Sequence, residues 1–399
     1  MTRIHVRMRG RDTSEEHRGA SPLDLLFDLT FVVAIAQLAL QFSHDGDEVT
    51  GPSKIGPYLV VFFAIWWAWI SFTWFASAYD TDDVPYRVFA VVQMAGVLVL
   101  AAGVPAAFQS GDFRAIAAGY LVMRVGLVAQ WVRVAVEHAA GRATARRYIL
   151  GISIAQLGWI LWLLLPQNHL LISFPVLVAI ELSVPIWAER PAKLPWHPGH
   201  IAERYGQFVI LLLGESVLAA ANGMRAALSN GGVTFDLIVV SVAGLVLLVG
   251  LWWTYFLEPT SAGLVAHRSG AFFWGWGHFL LFAALAAVGA WLQVAVTAIL
   301  HHLDNSHLQI AYGLASPVAI VLVTIWAVNL PFSGLGTIRA AVLLPAAAIV
   351  LALPLTVDVI GLPSLVAGLA FVGAASAAVA TANDRADEID GESEPTVTN

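Results

Sequence analysis

Asp28, Arg124 and Glu215 each stand inside an apolar stretch long enough to cross a bilayer. A charged side chain at a helix centre costs ~2.5–3.5 kcal/mol on the insertion scale, so such residues face a bundle interior and serve protons, ions or one another. The sharpest case is FVILLLGESVLAA, Phe208 to Ala220, which is apolar on both sides of Glu215. Glu215 lies about 18 Å past Glu203 along a helix rising 1.5 Å per residue, near the midplane. Arg124 sits at similar depth, about 15 Å from the outer end of its own span, and is the expected partner. Arg204 shares Glu215's helical face but is roughly 16 Å away along the axis, too far to pair directly.

That face carries more polarity. His200, Arg204, Gln207, Glu215 and Asn222 fall within a sector of about 80° at 100° per residue. A polar stripe of this length either lines a pathway or cements helices as a static network, and both readings are open. Near the N-terminus, Ser21, Pro22 and Asp24 form the pattern of a capping box, with Asp in place of the usual Glu, so Asp24 reads as structural. Asp28 is one turn deeper, about 9 Å inside, where capping no longer explains it. Gln93, Glu181 and His278 lie at comparable depth. A lone histidine in an apolar helix is either a satisfied core residue or a functional group.

Other chemistries find little support. Ser216 follows Gly214 and Glu215, but no strand precedes it and the G-x-S-x-G elbow is missing. His301, His302 and His307 cluster near Asp304 without the spacing of a metal site. No Walker loop or dinucleotide fingerprint occurs. The chain has no cysteine, which excludes disulfides, thiolate metal sites and thiol catalysis. No metal, cofactor or nucleic acid is therefore expected. The expected partners are the lipid bilayer and a small solute, a proton or a cation.

The elements that must hold these groups follow from composition. Of 399 residues, 59% are hydrophobic and 12% charged, against about 25% charged in soluble chains. Apolar runs of roughly 20 residues recur, each able to cross ~30 Å of hydrocarbon. Twelve transmembrane helices are predicted, at 23–43, 56–78, 86–108, 114–136, 147–165, 169–188, 203–222, 235–257, 271–300, 308–330, 337–357 and 359–380. The last two are interrupted by Pro345, Pro354 and Pro363. The fold class is thus an all-α, polytopic, integral membrane helical bundle. Fifteen Lys and Arg fall on the side of the N-terminus and three (Lys54, Arg114 and Arg225) on the other, which puts both termini in the cytoplasm. Residues 1–20 read as a basic cytoplasmic segment, and 381–399 as an acidic tail without aromatics or fixed structure.

Self-similarity suggests two six-helix halves, 21–200 and 201–380. FAVVQMAGVLVLAAG (89–103) lies over WGWGHFLLFAALAAV (274–288), AIAQLAL (34–40) over LLGESVL (212–218), and Trp66-Trp67 over Trp252-Trp253, at similar offsets. A parallel six-plus-six repeat would explain this and would place a transport site between halves. Chance likeness among Ala-, Leu- and Val-rich helices is the competing explanation.

Five blocks in order, PLDLLFDLTFVVAIAQLA, WWAWISFTWF with DTDD, PYRVFAVVQMAGVLVLAAGVPAAF, HIAERYGQFVILLLGESVL and LWWTYF, together resemble the bacterial low temperature requirement protein A family. The resemblance covers about 22–290, and its most diagnostic block joins E-R-Y-G to L-G-E-S. It implies a polytopic protein of the bacterial inner membrane, in a family named for growth in the cold, and it assigns no reaction. It carries over Asp28, Glu203, Arg204, Gly214, Glu215 and Ser216 as motif residues. Asp24 stands where a Glu is common, and Leu257-Glu258 follow the aromatic run where an Asp is usual. Three functions are consistent with these features. They are a secondary transporter or ion permease using intramembrane carboxylates, a non-transporting envelope or cold-adaptation protein, and an intramembrane lipid-modifying enzyme.

Overall fold

The computed structural model describes residues 4–13, 15, 18–43, 54–229, 232–258, 260–301, 307–332 and 340–393. Every regular element among them is helical: α1 (Pro22–Ser43), α2 (Ile55–Tyr79), α3 (Val84–Ser110), α4 (Arg114–Glu137), α5 (Arg142–Trp162), α6 (Gln167–Ala188), α7 (Pro198–Ser229), α8 (Phe235–Phe256), α9 (Thr260–Ala266), α10 (Ala271–His301), α11 (His307–Val328), α12 (Ala340–Ala352) and α13 (Val357–Ser393). Helices satisfy every backbone group within the segment, which is what a hydrocarbon solvent demands. The chain is an all-α, multi-pass membrane bundle.

Among the described residues, eight helical stretches are long and apolar enough to cross a membrane. They include α1 to α4 and four stretches from Phe235 onward. The expected span at 147–165 falls short of that standard because α5 carries Arg146, Arg147 and Gln156, and the expected span at 203–222 includes residues whose side chains lie outside the described ones. Among the described residues, α6 offers the shorter apolar stretch Ile172–Ala188. The two proline-broken spans at the end merge into one apolar stretch, Ala340–Asn383. Within it the chain bends at Gly361, whose φ of 78° suits a residue without a Cβ. The acidic segment read as unstructured is helical as far as Ser393, because α13 propagates into it without a new nucleation cost. Residues 394–399 lie outside the described residues.

The chain divides into two compact units, Met1–His44 with Thr50–Tyr205, and Asp45–Val49 with Gly206–Asn399. The first is built around α2, which packs against α1, α3, α4 and α6. Its tryptophans Trp66, Trp67, Trp69 and Trp74 are all buried. The tightest seam joins α3 to α4. A Cβ on Gly96 would lie 2.6 Å from the Gly119 carbonyl oxygen, so glycine at both positions lets the two backbones touch. In the second unit α8 packs on α13 and α10, α10 on α11, and α11 on α12 and α13. A Cβ on Gly250 of α8 would meet the Gly373 backbone at 2.9 Å, which gives a second small-residue seam.

The basic N-terminal segment is tied across one end of the first unit. Val6 N–H donates to Asp83 at 2.8 Å, Met8 N–H to Glu137 at 2.6 Å, and Arg11 N–H to the Ala78 carbonyl at 3.0 Å. Arg18 pairs with Asp80 at 2.9 Å. Its arginines therefore neutralise the acidic turn after α2 in addition to setting a charge bias.

Candidate functional site

Asp24 and Asp28 lie one turn apart on α1, and His200 and Arg204 one turn apart on α7, so each helix presents two polar side chains on one face. These four meet in the first unit. Arg204 donates through Nη1 to Asp24 Oδ1, and through Nη2 to Asp28 Oδ1 at 2.6 Å. His200 Nε2 lies 3.3 Å from Asp24 Oδ2, and Trp69 Nε1–H donates to Asp28 Oδ1 at 2.7 Å. All four are buried, with Arg204 and His200 at 0% exposure. Asp24 also closes the capping box: the Ser21 N–H donates to its Oδ2 at 3.0 Å, and its own N–H to Ser21 Oγ at 3.1 Å. One carboxylate thus starts the helix and holds the buried arginine. Asp28 Oδ2, Arg204 Nε and His200 Nδ1 make no hydrogen bond among the described residues.

A second buried charge site lies in the same unit. Glu181 of α6 accepts from Trp67 Nε1 at 2.8 Å, Tyr120 Oη at 2.7 Å, Trp159 Nε1 at 3.0 Å and Arg124 Nη2 at 3.5 Å. Donors from α2, α4 and α5 converge on this one carboxylate. Arg124 also donates to Ser71 Oγ at 3.0 Å and to Tyr120 Oη. The carboxylate that balances Arg124 is therefore Glu181, which corrects the expected pairing with Glu215. Counting residues along a helix places depth, but which helices become neighbours decides the pair.

The remaining expected residues have plainer surroundings. Gln93 donates to Gln130 Oε1 at 3.2 Å, a buried α3–α4 link. His278 Nδ1 contacts the Trp274 carbonyl at 2.7 Å, and Nε2 the Tyr255 hydroxyl at 3.1 Å. The carbonyl can only accept, so Nδ1 carries the proton, and in the neutral ring Nε2 accepts from the Tyr255 hydroxyl. Ser216 Oγ donates to the Leu212 carbonyl, and a Cβ on Gly289 would strike it. It packs α7 against α10. Glu203, exposed, accepts from the Ala20 N–H at 3.1 Å and so secures the chain entering α1. Gln207 is half-buried, Asn222 exposed, and Glu215 half-buried without a described hydrogen bond or ion pair. His302 and Asp304 lie outside the described residues.

Four functional donors escaped sequence reasoning: Trp67, Trp69, Tyr120 and Trp159. Trp67 and Trp69 stand in the aromatic-rich run WWAWISFTWF, and Tyr120 and Trp159 carry no mark in the sequence. The available signal was that a buried indole or phenol needs an acceptor, and that Asp28 and Glu181 were acceptors without donors.

The profile of the bacterial low temperature requirement A protein (LtrA) matches residues 19–380, which extends the similarity well past the five blocks. The chain is 28% identical over 266 residues to Uncharacterized protein RA0937 of Rhizobium meliloti (strain 1021). That alignment takes in 64% of this chain and 62% of the relative's length. No solved structure matches. With its buried Asp28 and Arg204 in the first unit and a family match spanning nearly all of its helices, the chain belongs to the bacterial low temperature requirement A family.

Proposed function

We propose that this protein is a secondary transporter or permease of the bacterial inner membrane, coupled to a proton or small cation taken up at Asp28. The observation that carries this reading is a charge imbalance. Two buried carboxylates, Asp24 and Asp28, share the single guanidinium of Arg204. A buried net charge is costly unless compensated. A proton on Asp28 or His200, or a monovalent cation at Asp28 Oδ2, supplies the missing positive charge. Loading and unloading that charge is the elementary step of coupled transport.

Two further features support the reading. The Lys and Arg bias orients both termini to the cytoplasm. The packing order α3–α4–α5–α6 has a counterpart in α10–α11–α12–α13, and α2 on α3 in α8 on α10, as two six-helix halves of a parallel repeat would produce. A static, non-transporting network is the second reading. It is favoured by Glu181, whose oxygens are fully matched by donors.

Reconstituted proteoliposomes with an imposed pH gradient test the proposal. The wild-type protein should give proton flux that depends on an added solute or cation, and Asp28→Asn should abolish it without lowering the melting temperature. If wild-type vesicles leak protons no faster than protein-free ones across a broad solute and cation panel, the static reading stands instead.

A further inference from the structure

A groove of about 490 Å³ runs between α4 and α5 in the first unit, within the ~300–1,000 Å³ range of small-molecule sites. Its walls are apolar, with Leu121 and Val125 from α4 and Ile152 and Ile160 from α5. Val125 is 58% exposed, so this surface meets the bilayer's acyl chains directly. Three polar residues line it: Arg124, whose charge Glu181 already balances, the exposed Ser153, and Gln156. Gln156 is 6% exposed, yet neither its Oε1 nor its Nε2 makes a hydrogen bond among the described residues. It lies about 21 Å from the start of α5 and about 9 Å from its end, where a bilayer offers no water. An unpaired carboxamide at that depth demands a partner.

We propose that this groove binds an uncharged single-chain lipid whose terminal hydroxyl pairs with Gln156. The apolar walls take the chain. A hydroxyl is the smallest group able both to donate to Oε1 and to accept from Nε2. A charged headgroup is disfavoured, because the neighbouring Arg124–Glu181 pair is neutral and the site is shielded from water. The proposal is independent of whether the protein transports.

Delipidated full-length protein in detergent, titrated with 1-hexadecanol and read by native mass spectrometry, provides the test. The wild-type protein should retain one hexadecanol, Gln156→Leu should bind it at least tenfold more weakly, and hexadecyl sulfate should bind the two alike. Val125→Trp, which fills the groove from its exposed rim and leaves Gln156 in place, should also lose the alcohol. Equal retention of hexadecanol by wild type and Gln156→Leu would overturn the assignment. So would tighter binding of the sulfate than of the alcohol by the wild-type protein.

Discussion

At the scale of single residues, the two buried arginines show opposite solutions to one problem. Arg124 meets one carboxylate whose other donors are Trp67, Tyr120 and Trp159, so the pair is charge-balanced and the carboxylate's oxygens are all matched by donors. Arg204 meets two carboxylates and leaves one oxygen of Asp28 unpaired. The first arrangement suits a fixed joint and the second an exchangeable proton. Removing one member of the balanced pair should be expensive, since it strands its partner's charge. Glu181→Gln is expected to cost about 3–5 kcal/mol. The double replacement Arg124→Leu with Glu181→Leu should cost less than Glu181→Gln alone, as read by thermal unfolding in one detergent.

At the scale of elements, caps and straps hold helix ends where side chains meet water. Asp83 is the N-cap of α3, and its Oδ1 accepts from the Tyr86 N–H at 2.9 Å. Arg133 of α4 grips both of its oxygens, at 3.0 and 2.8 Å. Burial pushes the Asp83 pKa up, but Arg133 and the Val6 and Tyr86 amides outweigh it and bring the value down to about 2 from 3.8. A carboxyl held below its unfolded pKa stabilises the fold above that pKa, and the contribution is lost as pH falls through the folded value. The window is therefore pH 4 down to 2, and the contribution is about 2 kcal/mol at neutral pH. Wild-type melting temperature should drop across that window, and Asp83→Asn should show a flatter profile from a lower starting point. Nearby, burial and then the charge of Asp24 raise Asp80 to about 6, so its ionised form opposes folding as pH rises from 4 through 6. The turn after α2 thus carries two acids with opposite pH signatures, Asp80 covered by Arg11 and Arg18 and Asp83 by Arg133 and the Val6 N–H.

At the scale of the whole molecule, the proposed orientation makes a direct prediction. A reporter that is active only outside the cytoplasm should work when inserted in the 44–53 segment, and should fail when fused at either terminus. The reverse pattern would show that the Lys and Arg bias has been misread. Much of the architecture was legible from sequence. Low charge and recurrent apolar runs define a helical membrane bundle, because hydrocarbon forces backbone groups to pair locally and composition alone reveals that solvent. The span count was less legible, since the arginines at the start of α5 lower its hydropathy below that of the other spans. Asp28, Arg124 and Glu181 were each recognisable as interior charges, because a charge in an apolar run is anomalous by itself, whereas Arg204 was counted with the cytoplasmic-side cations. The pairing of these charges was not recognisable. Arg124 was matched to Glu215 by depth, whereas contact depends on which helix faces lie side by side, and distant segments set that together. The sequence by itself determined that charges are buried in this membrane protein. Only the tertiary structure decided that Arg204 bridges Asp24 and Asp28 while indoles from α2 and α5 complete the carboxylates, because side-chain neighbours across helices are a property of packing and not of spacing along the chain.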